Sequence, residues 1–487
     1  MKSIHSLSMV ALSITAAAVL TACSGGNDVA TGPAIDLTNG RGTLVANPPV
    51  VLASFPTAAD FNGALSASAS GRNLLALAGT PKCGINFHYM EYNTIGALNE
   101  ATNATGGIMV PTGTDPACSG ARPVLLYSHG TTVEKSFNMA SPANGEAGLV
   151  AAMFAAQGWI VVTSNYVGYD ASRSTYHPYL LAEQQSNDMI DALRAARRSF
   201  ANIGANDSGK LFLSGYSQGG FVSMATHKAM QTNYSSEFKV TASGNMSGPY
   251  SLTKFFQTVF AGGINAGATV FTPLILTSWQ KAYGNLYNTP SDVYEAPYAT
   301  GIETLMPGAL TTTQLFTSGK LPTKLFASGP LVTPDPSLNA LFAAGIGTPN
   351  LIKDSYRQAV RSNSAHPLFA AAAKNDLLNW TPTRPVAMCL GAQDPTVFGT
   401  NTSDAAAYFA SKGASSLVTV FDLENAATVG PALAGGFAQF KAGAAADPSL
   451  GASAAERVLS VYHGGLVPPF CSLAVRGYFQ QVLAAGL

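Results

Sequence analysis

The sequence predicts an α/β fold: a mostly parallel sheet flanked by helices, interrupted by an inserted cap. Three observations carry this. Short β-branched and apolar runs alternate with segments of helical spacing, first over residues 86–250 and again from residue 384 to the end. Residues 251–383 break that alternation. Between the runs at 210–214 and 221–226 sits Gly215-Tyr216-Ser217-Gln218-Gly219, a Gly-x-Ser-x-Gly turn from strand into helix.

Taken in order, the chain begins with Lys2 and an apolar stretch over residues 9–20, too short for a stable membrane span. It ends in Leu20-Thr21-Ala22-Cys23, which resembles the bacterial lipobox, where a peptidase cuts before the cysteine and acyl chains are attached. A lipoprotein leader over residues 1–22 and lipidation at Cys23 are therefore expected. The alternative is an ordinary secretory signal cut at a small residue. Ser24 rather than Asp implies, within lipoproteins, sorting to the outer membrane of the cell envelope. Residues 23–50 are rich in Gly, Asn, Thr and Pro without periodicity and read as a flexible tether.

The first part of the core is expected over residues 51–250. Runs at 86–94 and 107–111 suit a hairpin, and 123–127 is a buried-strand run. A small apolar helix is expected at 148–157, a strand at 159–163 and a helix over 181–200. The strand of the Gly-x-Ser-x-Gly turn and its helix follow, then a strand at 238–242. The cap, 251–383, is rich in aromatics such as Phe255, Phe271 and Trp279. Strands at 384–390 and 417–421 and a helix over 469–483 complete the core within 384–487.

Composition excludes some classes. Lys+Arg 26 balances Asp+Glu 26, so no basic face for nucleic acid is expected. Charged residues make up 11% of the 487, against a usual share of roughly a quarter. The 47% apolar share is ordinary and excludes a multi-span membrane protein. With Cys23 committed to lipid, Cys83, Cys118, Cys389 and Cys471 remain, an even number that outside the cytoplasm suggests two disulfides. The favoured pairs are Cys83 with Cys118, which flank the hairpin, and Cys389 with Cys471. The alternative leaves Cys389 a free buried thiol in the apolar run 386–390.

A serine on a strained turn between strand and helix is a nucleophile candidate, because the two glycines remove side chains that would clash there. Its hydroxyl needs a base and an orienting carboxylate, in the order Ser, acid, His. Of the seven histidines, only His366 and His463 lie far enough beyond Ser217, and His366 falls in the cap. His463, in the glycine-rich segment Tyr462-His463-Gly464-Gly465 read as a loop before the last helix, is the candidate base. Asp394, in the turn after the strand at 384–390, is the candidate acid, with Asp422 as runner-up. The N–H of Gln218 and that of Thr131, in Ser128-His129-Gly130-Thr131-Thr132, are the candidate oxyanion donors. His129 then shapes the loop.

These segments, with Asn165-Tyr166-Val167-Gly168-Tyr169, His177-Pro178-Tyr179-Leu180 and Gly244-Asn245-Met246-Ser247, resemble in order the secretory lipase family of α/β-hydrolases, the yeast lipase A type. The resemblance covers roughly residues 81–250 and 385 onward. It implies carboxylic-ester hydrolysis through an acyl-enzyme, a lid inserted before the strand carrying the acid, and no metal or cofactor. The expected partners are a hydrophobic ester substrate and, through the lipid, a membrane. Two other readings stay open at this point: a peptidase on the same fold, and a non-catalytic surface-binding lipoprotein.

Overall fold

The runs read as strands form strands. In the computed structural model, which describes residues 40–328 and 350–486, these are β1 (Val50–Phe55), β2 (Gly84–Ile95), β3 (Ala101–Thr112), β4 (Arg122–Ser128), β5 (Ile160–Ser164), β6 (Asp207–Tyr216), β7 (Val240–Met246), β8 (Val386–Leu390) and β9 (Val418–Asp422). They make one sheet in the order β1-β2-β3-β5-β4-β6-β7-β8-β9. The first three strands pair antiparallel with one another and with β5; every later pairing is parallel. The expected leader, Cys23 and the tether up to residue 39 lie outside the described residues.

Parallel strands connect through helices that cover both faces, so the central strands are apolar throughout rather than alternating. All of β5, β7 and β8 is buried. On one face lie helices α4 (Ala182–Ser199) and α5 (Gln218–Thr232), which contribute Met189, Leu193, Phe221 and Met224 to one core. On the other lie α1 (Ala58–Ser66), α2 (Ala69–Ala78), α3 (Gly145–Met153) and the C-terminal helix Val467–Ala484, with Phe61, Val150, Phe470 and Phe479 in the second core.

Between β7 and β8 the described chain forms no sheet strand. Helices α6 (Leu252–Ala261) and α7 (Ala268–Tyr283) open this segment, and Asp354–Ser362 and Pro367–Asn375 close it. Its apolar side chains join the core under α4 and α5. Most of its aromatics are that core: Phe256, Phe260, Trp279 and Tyr294 are buried. Phe255 and Phe271 are only partly buried, and they face Ser217 across a cavity.

Two expectations need correction. Residues 40–49, assigned to the tether, are docked. Gly42 and Val45 donate backbone hydrogen bonds to Asn93 and Glu91 of β2, and Arg41 pairs with buried Asp191 at 2.8 Å. β1 covers the edge of β2 only as far as Tyr89, and this segment completes the edge beyond it, which composition does not reveal. The segment holding His463 is likewise no loop. Tyr462–Leu466 is a π-helical turn that joins Ala454–Val461 to Val467–Ala484. The Val467 N–H donates to the Tyr462 carbonyl, and Pro468 and Pro469, which lack an N–H, sit in the first turn beyond it. Among the described residues this run, Ala454–Ala484, is long and apolar enough to cross a membrane. Its inner face is instead core, packed on β7 and β8.

Candidate active site

Ser217 stands between the end of β6 and the first turn of α5 with φ 59° and ψ −119°, a conformation that L residues rarely adopt. The glycines beside it permit the turn. A Cβ on Gly215 would lie 2.3 Å from the Gly219 carbonyl oxygen, and one on Gly219 would lie 1.9 Å from that of Ser128. Neither contact is sterically possible, so strand, turn and helix pack this closely only with glycine at both positions.

The structure brings Ser217, His463 and Asp394 together from three separate elements. His463 Nε2 is 2.7 Å from Ser217 Oγ, and His463 Nδ1 is 2.6 Å from Asp394 Oδ2. Asp394 is buried, and its other oxygen accepts the N–H groups of Thr396 (2.8 Å) and Val397 (3.0 Å). These bonds hold the carboxylate in one orientation and stabilise its charge. With Nδ1–H donated to Asp394, the Nε2 lone pair faces the serine hydroxyl. Asp422 ends β9, where its Oδ1 accepts the Glu424 N–H, and it makes no described contact with His463. His366 caps the helix Pro367–Asn375.

Tyr216, inside the Gly-x-Ser-x-Gly segment, was not singled out by sequence. Its hydroxyl donates to the His463 carbonyl and lies 3.3 Å from His463 Nδ1. Burial, with Asp394 nearby, raises its pKa well above the ordinary value, so the phenol stays neutral and remains a donor. A tyrosine in that place looks like any core aromatic, and no sequence signal marks it.

The Gln218 and Thr131 N–H groups donate to no described residue, and Gln218 directly follows Ser217. Gly130, next to Thr131, donates its N–H to the half-buried Glu146 carboxylate (3.0 Å), which also accepts the Tyr127 hydroxyl (2.9 Å). Burial pushes Glu146 up to about 7. His129 is fully enclosed; its Nδ1 is 2.6 Å from the Gly130 carbonyl, and burial lowers its pKa to about 4. It is a neutral structural ring.

The cavity at Ser217 has a volume of about 30 Å³ and is lined by Tyr179, Leu180, Gln218, Phe255, Phe271 and Val397, among others, none of them charged. A larger groove of about 510 Å³ lies among Arg41, Arg194, Arg197 and Arg198, at the amino-terminal end of β6 and away from the serine. Three of those arginines are already held by Asp191, Glu237 and Asp207. Among the described residues no three His, Cys, Asp or Glu side chains are grouped to hold a metal ion.

The disulfides form the expected pairs, Cys83 with Cys118 and Cys389 with Cys471. The family model for secretory lipases matches residues 141–297. Among solved structures, the rice cell wall degrading esterase LipA from Xanthomonas oryzae is 30% identical, with a TM-score of 0.66 over 81% of this chain and 95% of that one. Its ligand-bound form superposes over 92% of this chain and 99% of that one, at 28% identity and a TM-score of 0.71. Candida antarctica lipase A is similar in fold, at 14% identity and a TM-score of 0.50 over 79% of this chain and 76% of that one. No curated protein matches the chain.

Proposed function

The chain belongs to the secretory lipase family of α/β-hydrolases and is a carboxylic ester hydrolase, and from that premise we propose that Ser217, His463 and Asp394 carry its reaction through an acyl-enzyme. One observation carries the reading: a single imidazole within hydrogen-bond distance of both Ser217 Oγ (2.7 Å) and Asp394 Oδ2 (2.6 Å). Ser217 Oγ attacks the ester carbonyl carbon while His463 Nε2 takes the hydroxyl proton. Asp394 keeps Nδ1 protonated and stabilises the imidazolium. The negative oxygen of the tetrahedral intermediate accepts the N–H groups of Gln218 and Thr131. As the intermediate collapses, His463 returns its proton to the departing alcohol. Water, deprotonated by His463, then attacks the acyl carbon and frees Ser217.

The uncharged lining of the cavity supports a hydrophobic acyl group and offers no charge to capture a peptide terminus. The helical segment between β7 and β8 serves as the lid, with Phe255 and Phe271 against the acyl chain. The family supports export; attachment to the outer membrane through lipid on Cys23 is part of this proposal. Conversion of Cys23 to serine should then release the protein from the membrane fraction.

A fluorophosphonate probe tests the core of the reading. It should label the wild-type protein and not Ser217→Ala. p-Nitrophenyl esters should be hydrolysed and aminoacyl anilides spared. Labelling that persists without Ser217 overturns the assignment.

A further inference from the structure

The segment His177-Pro178-Tyr179 lies in the connection from β5 to α4 and has no part in the chemistry above. Its two ring side chains nevertheless reach both residues assigned as oxyanion donors. The Tyr179 hydroxyl is 2.7 Å from Thr131 Oγ1, and His177 Nε2 is 2.6 Å from Gln218 Nε2. We propose that His177 and Tyr179 are positioning residues that set the two halves of the oxyanion hole against each other. This rests on the oxyanion roles proposed for Gln218 and Thr131.

The direction of each hydrogen bond follows from chemistry. His177 Nδ1 is 2.8 Å from the Val167 carbonyl, which only accepts, so Nδ1 carries the proton. Burial lowers the His177 pKa to about 3, so the ring is neutral and Nε2 is an acceptor. It takes the Gln218 amide N–H, and that choice fixes which way the amide points. Gln218 Oε1 is buried with no described partner, so the side chain is held through its bond to His177. Gln218 opens α5, and fixing its side chain restrains the backbone N–H one residue after the nucleophile.

A ring column carries the same constraint to the other half. His177 stacks on Tyr166 at 5.4 Å between centroids, and Tyr166 stacks on His129 at 4.1 Å. The Tyr166 hydroxyl donates to the His129 carbonyl, two residues before Thr131. The far side of the segment is tied to α7, where the Trp279 indole N–H donates to the Leu180 carbonyl at 3.3 Å. β4 and β6 pair as far as Ser128 and Gly215, three residues before Thr131 and Gln218, and beyond that point no backbone hydrogen bond among the described residues joins the two donors. Both N–H groups must nonetheless meet one oxygen at roughly 2.7–3.1 Å. One short segment, with Pro178 restricting the backbone between the two rings, spans them.

Tyr179→Phe deletes only the hydroxyl, and His177→Phe puts a slightly larger phenyl ring without polar atoms in place of the imidazole. Each should lower kcat about tenfold or more while KM stays within about twofold, since a misplaced donor weakens the transition state and not the ester complex. The inhibition constant for a trifluoromethyl ketone, whose adduct with Ser217 places a negative oxygen in the hole, should rise by a matching factor. Gln218→Leu should cost as much as His177→Phe, and the pair together no more than either alone. His177→Phe with Tyr179→Phe should instead multiply. Wild-type kcat and ketone affinity in Tyr179→Phe and Gln218→Leu overturn the proposal. So does a loss of activity or thermal stability with ketone affinity unmoved, which marks a merely structural role. Failure of the catalytic reading itself would show differently, as wild-type protein without esterase activity or labelling that survives Ser217→Ala.

Discussion

Cys389 in β8 is bonded to Cys471 in the C-terminal helix, and this cross-link ties the strand leading to Asp394 to the helix run carrying His463. Asp394 lies five residues beyond one cysteine and His463 eight before the other. The bond therefore bears on the separation of acid and base as well as on the fold. Its sequence separation of 82 residues corresponds to at most about 4.5 kcal/mol in the chain-entropy model. Cys389→Ser with Cys471→Ser should lower both the melting temperature and kcat. Thermal unfolding beside initial rates checks this; a lower Tm with unchanged kcat would separate the bond from the site.

Asp394→Asn should lower kcat by about 10⁴ through the wrong imidazole tautomer, with folding retained. Asp422→Asn should have little effect, since Asp422 is engaged with Glu424 at the end of β9. Rates and circular dichroism for the two variants decide between them. A larger loss in Asp422→Asn would reverse the assignment.

Burial pushes two carboxyls, Glu146 and Asp188, up to about 7 from ordinary values of 4.5 and 3.8. Between pH of about 4 and 7 the folded protein keeps protons that the unfolded chain releases, so these groups make stability fall as pH rises through that window. The contribution is whole below pH 4 and gone above about 7. Glu146→Gln and Asp188→Asn should each flatten the decline of melting temperature with pH. An unaltered slope in both variants would place the proton uptake elsewhere.

Phe271→Ala should widen a cavity that, at about 30 Å³, admits little more than an acetyl-sized group. The ratio of kcat/KM for octanoate over acetate esters should rise several-fold. Trp279→Ala, in the same helix but fully buried, should instead destabilise by about 3–5 kcal/mol without favouring long chains. Equal effects of Phe271→Ala on both esters would remove the cap from acyl selection.

The parallel core was legible because its signals are local. Apolar strand runs, helical spacing and the Gly-x-Ser-x-Gly turn each depend on a few consecutive residues. His463 emerged by elimination, since chain order and a small number of histidines left little choice. The disulfide partners could be reasoned from the strands and segments around them. Position along the chain thus narrowed the candidates to Ser217, His463 and Asp394, with Asp422 still open beside Asp394.

Conformation and long-range contact were decided elsewhere. The π-helical turn at Tyr462–Leu466 depends on how the C-terminal run packs under the sheet, and its Gly-Gly sequence reads equally well as a loop. Docking of residues 40–49 depends on the edge of β2, and the polar composition of that segment is silent about it. Which cap aromatics face Ser217, and which fill the interior, is set by helix orientation in three dimensions. Tyr216, Glu146, His177 and Tyr179 follow the same logic. Each acts through a partner distant in sequence, and a hydrogen bond between side chains 41, 48 or 247 residues apart leaves no periodic or local trace. Local propensity and order therefore determined the elements and the candidate reactive groups, while packing, which alone brings distant polar atoms within 3 Å, decided how those groups are held.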